Sequence, residues 1–127
     1  MDAGELLYQQ ETYAIRGAVF EVSRELGTGF LESVYQECLA AEFRRAGIGY
    51  VEHQPLPLLY KGERLETVYK PDFICFGKII VELKVAEATA EEHWNQSVNY
   101  RKMTRLRLGL LVNCGSYPKA SIARIAF

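Results

Sequence analysis

The sequence predicts an α/β domain in which a mixed β-sheet is flanked by helices, with elements in the order αα-ββββ-α-ββ. Three observations support this prediction. Apolar residues recur at helical spacing as far as Gly47, the pattern changes to that of strands from Tyr50, and a strand-helix-strand unit lies in the second half of the chain. The length of 127 residues fits a single domain, residues 1–127.

The first helix is predicted from about Glu5 to Glu25. Gly27-Thr28-Gly29 should end it, because glycine adopts backbone conformations that other residues avoid. A second apolar stripe begins at Leu31 and ends at Gly47 and Gly49, which predicts a second helix. The stripe of the first helix follows the spacing i, i+3, i+4, i+7 and i+11 and consists of Ile15, Ala18, Val19, Val22 and Leu26.

Four strands are predicted next. The first carries Pro55 and Pro57, which cannot donate a hydrogen bond to a neighbouring strand, so it should be an edge strand or a bent one. Turns are expected at Lys61-Gly62 and Gly77-Lys78. The strands are Tyr50–Tyr60, Leu65–Tyr69, Asp72–Phe76 and Ile79–Leu83.

A third helix is predicted from about Ala90 to Thr104, because Thr89-Ala90-Glu91-Glu92 has the form of a capping box. A buried-type strand, Leu108–Asn113, and a short last strand, Ile122–Ile125, follow it. The strands on either side of the third helix should therefore be parallel and joined by a right-handed crossover.

The composition is that of a folded globular protein, with 49% hydrophobic, 12% aromatic and 24% charged residues. It excludes a disordered, collagen-like or coiled-coil chain. Since no apolar run approaches the roughly 18 residues of a membrane span and the N-terminus does not resemble a signal peptide, we expect a cytoplasmic protein without membrane contact. The cysteines Cys38, Cys75 and Cys114 form no CxxC pair and are expected to be buried thiols.

The net charge of −1 limits the partners. Dedicated nucleic-acid binders usually carry a basic surplus, so any such contact must come from a local patch. The candidates are Arg101, Lys102 and Arg105, with Arg107 beside them. The alternative is a solvated helix end, where cations complement the helix dipole.

Two acidic residues and a lysine are brought together on the predicted hairpin, where Pro71-Asp72 precedes Glu82-Leu83-Lys84. Side chains alternate along a strand, so Glu82 and Lys84 share one face. Carboxylates are ligands that Mg²⁺ or Mn²⁺ prefers, and a lysine beside a metal-bound water can help to orient and deprotonate it. This set suits the hydrolysis of a phosphodiester.

The register of the hairpin decides whether Asp72 joins Glu82. A two-residue loop would pair Glu82 with Phe73 and turn Asp72 to the other face, whereas a three-residue loop, residues 76–78, or a bulge would set Asp72 opposite Glu82. The second register is favoured because it gathers on one face the apolar residues Phe73, Cys75, Ile79, Val81 and Leu83. The alternative is a surface hairpin with a cross-strand ion pair.

Four ordered motifs carry a family resemblance that covers about nine tenths of the chain. They are Gly29-x-x-Glu32-x-x-Tyr35, Pro71-Asp72, Glu82-Leu83-Lys84, and Gln96 with Tyr100 four residues later. With these motifs the chain resembles the GxxExxY family of the PD-(D/E)XK nuclease superfamily. The resemblance implies a restriction-endonuclease-like fold and metal-dependent phosphodiester cleavage.

The resemblance also implies roles for single residues. Asp72 and Glu82, with the Leu83 carbonyl, would hold Mg²⁺ or Mn²⁺, and Lys84 would position or activate the attacking water. Glu32 would be an outer metal ligand or a water anchor, and Gln96 and Tyr100 would complete the catalytic set. The whole set implied by the resemblance is Glu32, Asp72, Glu82, Lys84, Gln96 and Tyr100.

Glu32 also has a second interpretation from the residues alone. It continues a line of apolar residues on the second helix and so leans inward. If Gly29 is the N-cap, however, Glu32 is the third helical residue, a position where glutamate is common for reasons of helix capping.

Two functions are compared. The first is a metal-dependent nuclease acting on DNA or RNA, and the second is a non-catalytic module of the same fold that binds a protein or nucleic-acid partner. Retention of Asp72, Glu82 and Lys84 favours the nuclease. A chain of this size offers little surface to a duplex, so we also expect a homodimer.

Overall fold

The computed structural model describes residues 7–85 and 105–126, so the predicted third helix lies outside the described residues. The described elements are two helices, α1 (Gln9–Leu26) and α2 (Glu32–Arg45), and seven strands, β1 (Tyr50–Glu52), β2 (Leu56–Tyr60), β3 (Glu63–Tyr69), β4 (Phe73–Cys75), β5 (Ile79–Lys84), β6 (Leu108–Asn113) and β7 (Ser121–Ala126). Among the described helices, none is both long enough and apolar enough to cross a membrane.

The predicted apolar face of α1 is confirmed, since Ile15, Ala18, Val19 and Val22 are buried. The helix ends as expected at Gly27, whose φ of 67° is a left-handed value that favours glycine. The start of α2 differs from the prediction. Leu31 is the N-cap, with an extended backbone and a side chain that is 75% exposed, so it does not belong to the buried stripe.

The predicted mixed α/β architecture is confirmed, with a main sheet of five strands in the order β1-β4-β5-β6-β7. Strands β5 and β6 are parallel, as the strand-helix-strand pattern predicted, and the other neighbours are antiparallel. The main sheet therefore has its parallel pair at the centre.

The prediction of one strand from Tyr50 to Tyr60 is wrong. The chain forms two strands there, of which β1 pairs with β4 in the main sheet and β2 pairs with β3 in a separate two-stranded sheet. The break follows from His53, which has a left-handed φ of 52°, and from Pro55, which cannot donate to a ladder. The expected turn between β2 and β3 forms at Lys61-Gly62, where both residues have positive φ.

The core lies between the helices and the main sheet. The apolar face predicted for the hairpin is buried there, with Phe73, Cys75, Ile79 and Val81 fully inaccessible to solvent. Phe43 of α2 meets Phe73 edge to face, with 5.1 Å between ring centroids. On the opposite face of the sheet, Ile80 packs against residues of the β2–β3 sheet. Because both faces of the central strands are covered, the polar residues near their ends are held by a rigid frame.

Candidate active site

The hairpin register places Asp72 opposite Glu82. Phe73 pairs with Val81 and Cys75 pairs with Ile79, and residues 76–78 form a three-residue turn. Phe76 and Gly77 adopt left-handed conformations in this turn. The register that the sequence favoured is therefore confirmed, and the two-residue loop is excluded.

Reciprocal hydrogen bonds hold the two acidic residues, which we call the carboxylate pair. The backbone N–H of Asp72 donates to Glu82 Oε1 at 2.9 Å, and the backbone N–H of Leu83 donates to Asp72 Oδ2 at 2.7 Å. Each carboxylate thus accepts from a backbone amide of the neighbouring strand, a charge-assisted contact that fixes its position. The hydrogen bonds to the backbone therefore restrict the rotation of both carboxylate side chains.

Burial dominates the electrostatics of Asp72. Its side chain is only 17% exposed, and this burial raises the pKa of the Asp72 carboxyl above its ordinary value. The Leu83 amide and His53 lower the pKa of the same group, but they do not reverse the effect of burial. A bound cation would stabilise the ionised form of this carboxyl.

Lys84 and Glu82 follow one another on the same face of β5, as the alternation predicted. Both side chains are half-buried, whereas Val81 and Leu83 between and beside them are buried on the core side. The Lys84 carbonyl accepts the backbone N–H of Cys114 at 2.7 Å, which ties the end of β5 to the residue after β6. Lys84 therefore lies at a fixed point two residues from Glu82.

Glu32 is the first residue of α2 and is exposed, so the expectation that it leans inward is wrong. The alternative with Gly29 as N-cap and Glu32 as third helical residue does not hold either, because Leu31 is the N-cap. The side chain nevertheless lies near the same region. Burial raises the pKa of the Cys114 thiol to about 12, with further contributions from the charges of Glu32 and Asp72. Both carboxylates are thus close enough to act on one buried thiol.

Tyr35, the last residue of the Gly-x-x-Glu-x-x-Tyr motif, has a structural role. Its ring is buried in the core, and its hydroxyl donates to the Gly27 carbonyl at 2.7 Å. This bond joins the last turn of α1 to α2 across the glycine-rich connection. In the structure, Tyr35 anchors the loop that precedes Glu32.

The donor set of the carboxylate pair fits a hard divalent cation. Carboxylate and carbonyl oxygens are the ligands of Mg²⁺, which is commonly held by one or two carboxylates and retains several waters. Within the described residues, no three side chains of His, Cys, Asp or Glu come together as a metal-binding group. Glu32 therefore does not join Asp72 and Glu82 in such a group, and the pair and the Leu83 carbonyl remain the candidate ligands.

Several predicted site residues fall outside the described residues: Gln96, Tyr100, Arg101 and Lys102. Arg105, the third residue of the predicted nucleic-acid contact, is described and is exposed just before β6. The functional roles assigned to all of these residues stay predictions.

Three polar residues that the sequence did not single out lie around Asp72. The His53 side chain is 55% exposed but has its Nδ1 atom 3.9 Å from Asp72 Oδ1. The amide nitrogen of Gln36 lies 3.2 Å from the Asp72 carbonyl oxygen and 3.1 Å from Glu52 Oε1. The pairing of β1 with β4 brings His53 and Glu52 next to Asp72. Only the position of Gln36, one helical turn after Glu32, could be recognised from the sequence.

Comparison with known proteins agrees with this geometry. A family model of the PD-(D/E)XK nuclease superfamily matches residues 9–125. No curated protein and no solved structure gives a match. Because the family model covers nearly the whole chain and the fold carries an acidic pair at the expected hairpin, the chain belongs to the PD-(D/E)XK nuclease superfamily.

Proposed function

We propose that the chain is a metal-dependent nuclease that hydrolyses phosphodiester bonds of DNA or RNA, and that within its superfamily it belongs to the GxxExxY branch. The observation that carries the proposal is the carboxylate pair, in which Asp72 and Glu82 are each held by a backbone amide of the other's strand. A surface ion pair would need no such arrangement of two like charges.

In this proposal Asp72, Glu82 and the Leu83 carbonyl hold Mg²⁺ or Mn²⁺. When bound, the ion neutralises phosphate charge and makes a coordinated water easier to deprotonate. Lys84, on the same strand face as Glu82, orients the attacking water. Glu32 anchors water from the start of α2.

The remaining roles in the proposal belong to the chain after β5. Gln96 and Tyr100 complete the catalytic set, and the cations Arg101, Lys102 and Arg105 contact the phosphates of the nucleic acid. We further propose that the protein is a homodimer, because two copies present more surface to a duplex than one. We also propose that it is cytoplasmic.

A cleavage assay tests the proposal. End-labelled single-stranded DNA, double-stranded DNA and RNA are incubated with the protein and millimolar Mn²⁺ or Mg²⁺, and the products are separated by length. We expect cleavage of at least one substrate by the wild type and by Glu63→Gln, a control acid that is exposed on β3. Glu82→Ala should abolish it.

Cleavage that survives Glu82→Ala would contradict the assignment of the site. If the protein binds a labelled strand but cleaves none with either metal, the non-catalytic binding module is the correct function.

A further inference from the structure

Gln36 links α2 to the main chain that carries Asp72. Its amide nitrogen lies within hydrogen-bonding distance of two acceptors, the Asp72 carbonyl oxygen at 3.2 Å and Glu52 Oε1 at 3.1 Å. Because both partners only accept hydrogen bonds, the side chain must present its nitrogen to them rather than its oxygen. The two contacts therefore use both N–H groups of one amide.

The Asp72 residue lacks support from regular strand pairing at this point. It lies between Pro71, which has no N–H, and the first residue of β4. On the side that faces β5, its N–H donates to the Glu82 carboxylate and its own carboxylate accepts from the Leu83 N–H. The Asp72 carbonyl accepts a hydrogen bond from the Gln36 amide. The backbone N–H of His53 is shared between the carbonyls of Pro71, at 3.1 Å, and Asp72, at 3.2 Å.

These contacts divide between two sides of the same residue. The β5 side fixes the carboxylate and the N–H, whereas the α2 and β1 side fixes the carbonyl. The carbonyl carbon of Asp72 is bonded to the Cα that carries its side chain, so a displacement of this backbone segment would also displace the carboxylate relative to the Leu83 amide.

We propose that Gln36 is a positioning residue for the carboxylate pair: by holding the Asp72 carbonyl and Glu52 together, it sets the place of the Asp72 carboxylate. The inference deepens the proposed function, because groups that orient the ligands of a metal commonly contribute about 10- to 100-fold to its affinity. The two hydrogen bonds of Gln36 go to Glu52 and to the Asp72 carbonyl, so its effect on the pair is indirect.

The test uses Gln36→Glu, which keeps the shape of the side chain and removes both donors. Gln54→Glu is the matched control, since it makes the same chemical change at an exposed glutamine two residues beyond Glu52. A double variant, Gln36→Glu with Glu52→Gln, restores a donor between positions 36 and 52 but not toward the Asp72 carbonyl.

The first readout needs no metal. Amide hydrogen exchange, followed by NMR, reports on the N–H groups of Leu83 and Asp72, which are bonded to the carboxylate pair. We expect exchange at both amides to be at least about fivefold faster in Gln36→Glu and in the double variant, and unchanged in Gln54→Glu. The amides of Ile80 and Val81 within β5 should be unaffected.

The second readout is Mn²⁺ affinity, measured by calorimetry. Gln36→Glu and the double variant should bind Mn²⁺ about 10-fold more weakly than the wild type, with Gln54→Glu unchanged. Wild-type exchange and affinity in Gln36→Glu would overturn the proposal. Recovery of both in the double variant would also overturn it, because Gln36 would then serve only to join α2 to β1.

The two proposals fail in different ways. A wild type that takes up no Mn²⁺ refutes the metal site, and the exchange readout alone then decides whether Gln36 positions Asp72. A wild type that binds Mn²⁺, together with a Gln36→Glu variant that matches it in both readouts, refutes only the role of Gln36.

Discussion

At the scale of single residues, Asp72 combines two opposing influences. Burial raises the pKa of its carboxyl, whereas the Leu83 amide and His53 lower it. Burial is the largest of these influences, so the folded site disfavours the ionised form of Asp72. The site without metal is therefore less stable when Asp72 is ionised.

The sign of this shift predicts a pH dependence. A carboxyl whose pKa is raised in the folded state contributes stability below its unfolded-state pKa, near 3.8, and loses it as the pH rises through the higher folded value. Asp72→Asn, which keeps an oxygen to accept the Leu83 amide, should therefore gain in free energy of unfolding relative to the wild type as the pH rises from about 3.5 to 7.

Urea unfolding of both proteins across this range, with EDTA present, measures the effect. Glu66→Gln, at an exposed position on β3, is the control and should show no such trend. A wild type that becomes more stable than Asp72→Asn on going to neutral pH would show instead that the carboxylate is part of a favourable ion pair.

Lys84 provides a second prediction at this scale. If it serves the attacking water rather than the metal, Lys84→Ala should lower the cleavage rate by about 100-fold or more while keeping most of the Mn²⁺ affinity. Asp72→Ala should lose both properties. Single-turnover cleavage and calorimetry on the same preparations separate the two effects, and an equal loss of metal binding in both variants would contradict this division of roles.

At the scale of elements, the β4–β5 turn sets the register that creates the pair. Gly77 has a φ of 70°, where other residues are strained by about 1–2 kcal/mol. Gly77→Ala should therefore lower the free energy of unfolding by about that amount.

Gly49→Ala is the matched control, since Gly49 has no such backbone conformation and an added methyl group would meet open space. Chemical denaturation of the two variants makes the comparison. Equal losses of stability would mean that the positive φ at Gly77 is not the reason for the cost of the substitution.

The elements also show what could be predicted from the sequence. The β4–β5 register followed from local information, because the alternation of Phe73, Cys75, Ile79 and Val81 permits only one pairing with a uniform apolar face. The split of the Tyr50–Tyr60 segment did not, since the partners of its two halves are decided by sheet assembly. The two prolines, Pro55 and Pro57, indicated an edge strand or a bent one but not two different sheets.

The residues around Asp72 illustrate the same limit. His53 and Glu52 reach it only because β1 pairs with β4 across the intervening β2–β3 hairpin. The pairing of β1 with β4 joins parts of the chain that are about twenty residues apart in sequence, and no periodic pattern in the sequence predicts it. Cys114, read as a plain buried thiol, is indeed buried but lies near the charges of Glu32 and Asp72.

At the scale of the whole molecule, the sheet is a rigid support, and its acidic pair lies where β4 begins and β5 ends. Ile79, Ile80 and Val81 are completely buried, so β5 is packed on both faces just before Glu82. With a near-neutral net charge of −1, the proposed nuclease would owe its affinity for nucleic acid to local features, for which we propose a bound cation and the cations near Arg105. In the proposed function, a metal ion held by the carboxylate pair would contact the phosphate of the substrate.

Calorimetric titration of Mn²⁺ into the wild type and into Asp72→Asn tests the central claim most directly, because it asks whether the carboxylate pair binds a divalent ion without requiring a known substrate. We predict that the wild type binds one ion per chain and that Asp72→Asn, which keeps the fold and removes one anionic ligand, loses most of this affinity. Equal heats of binding for the two proteins, or no binding by the wild type, would contradict the claim that Asp72 and Glu82 form a metal site.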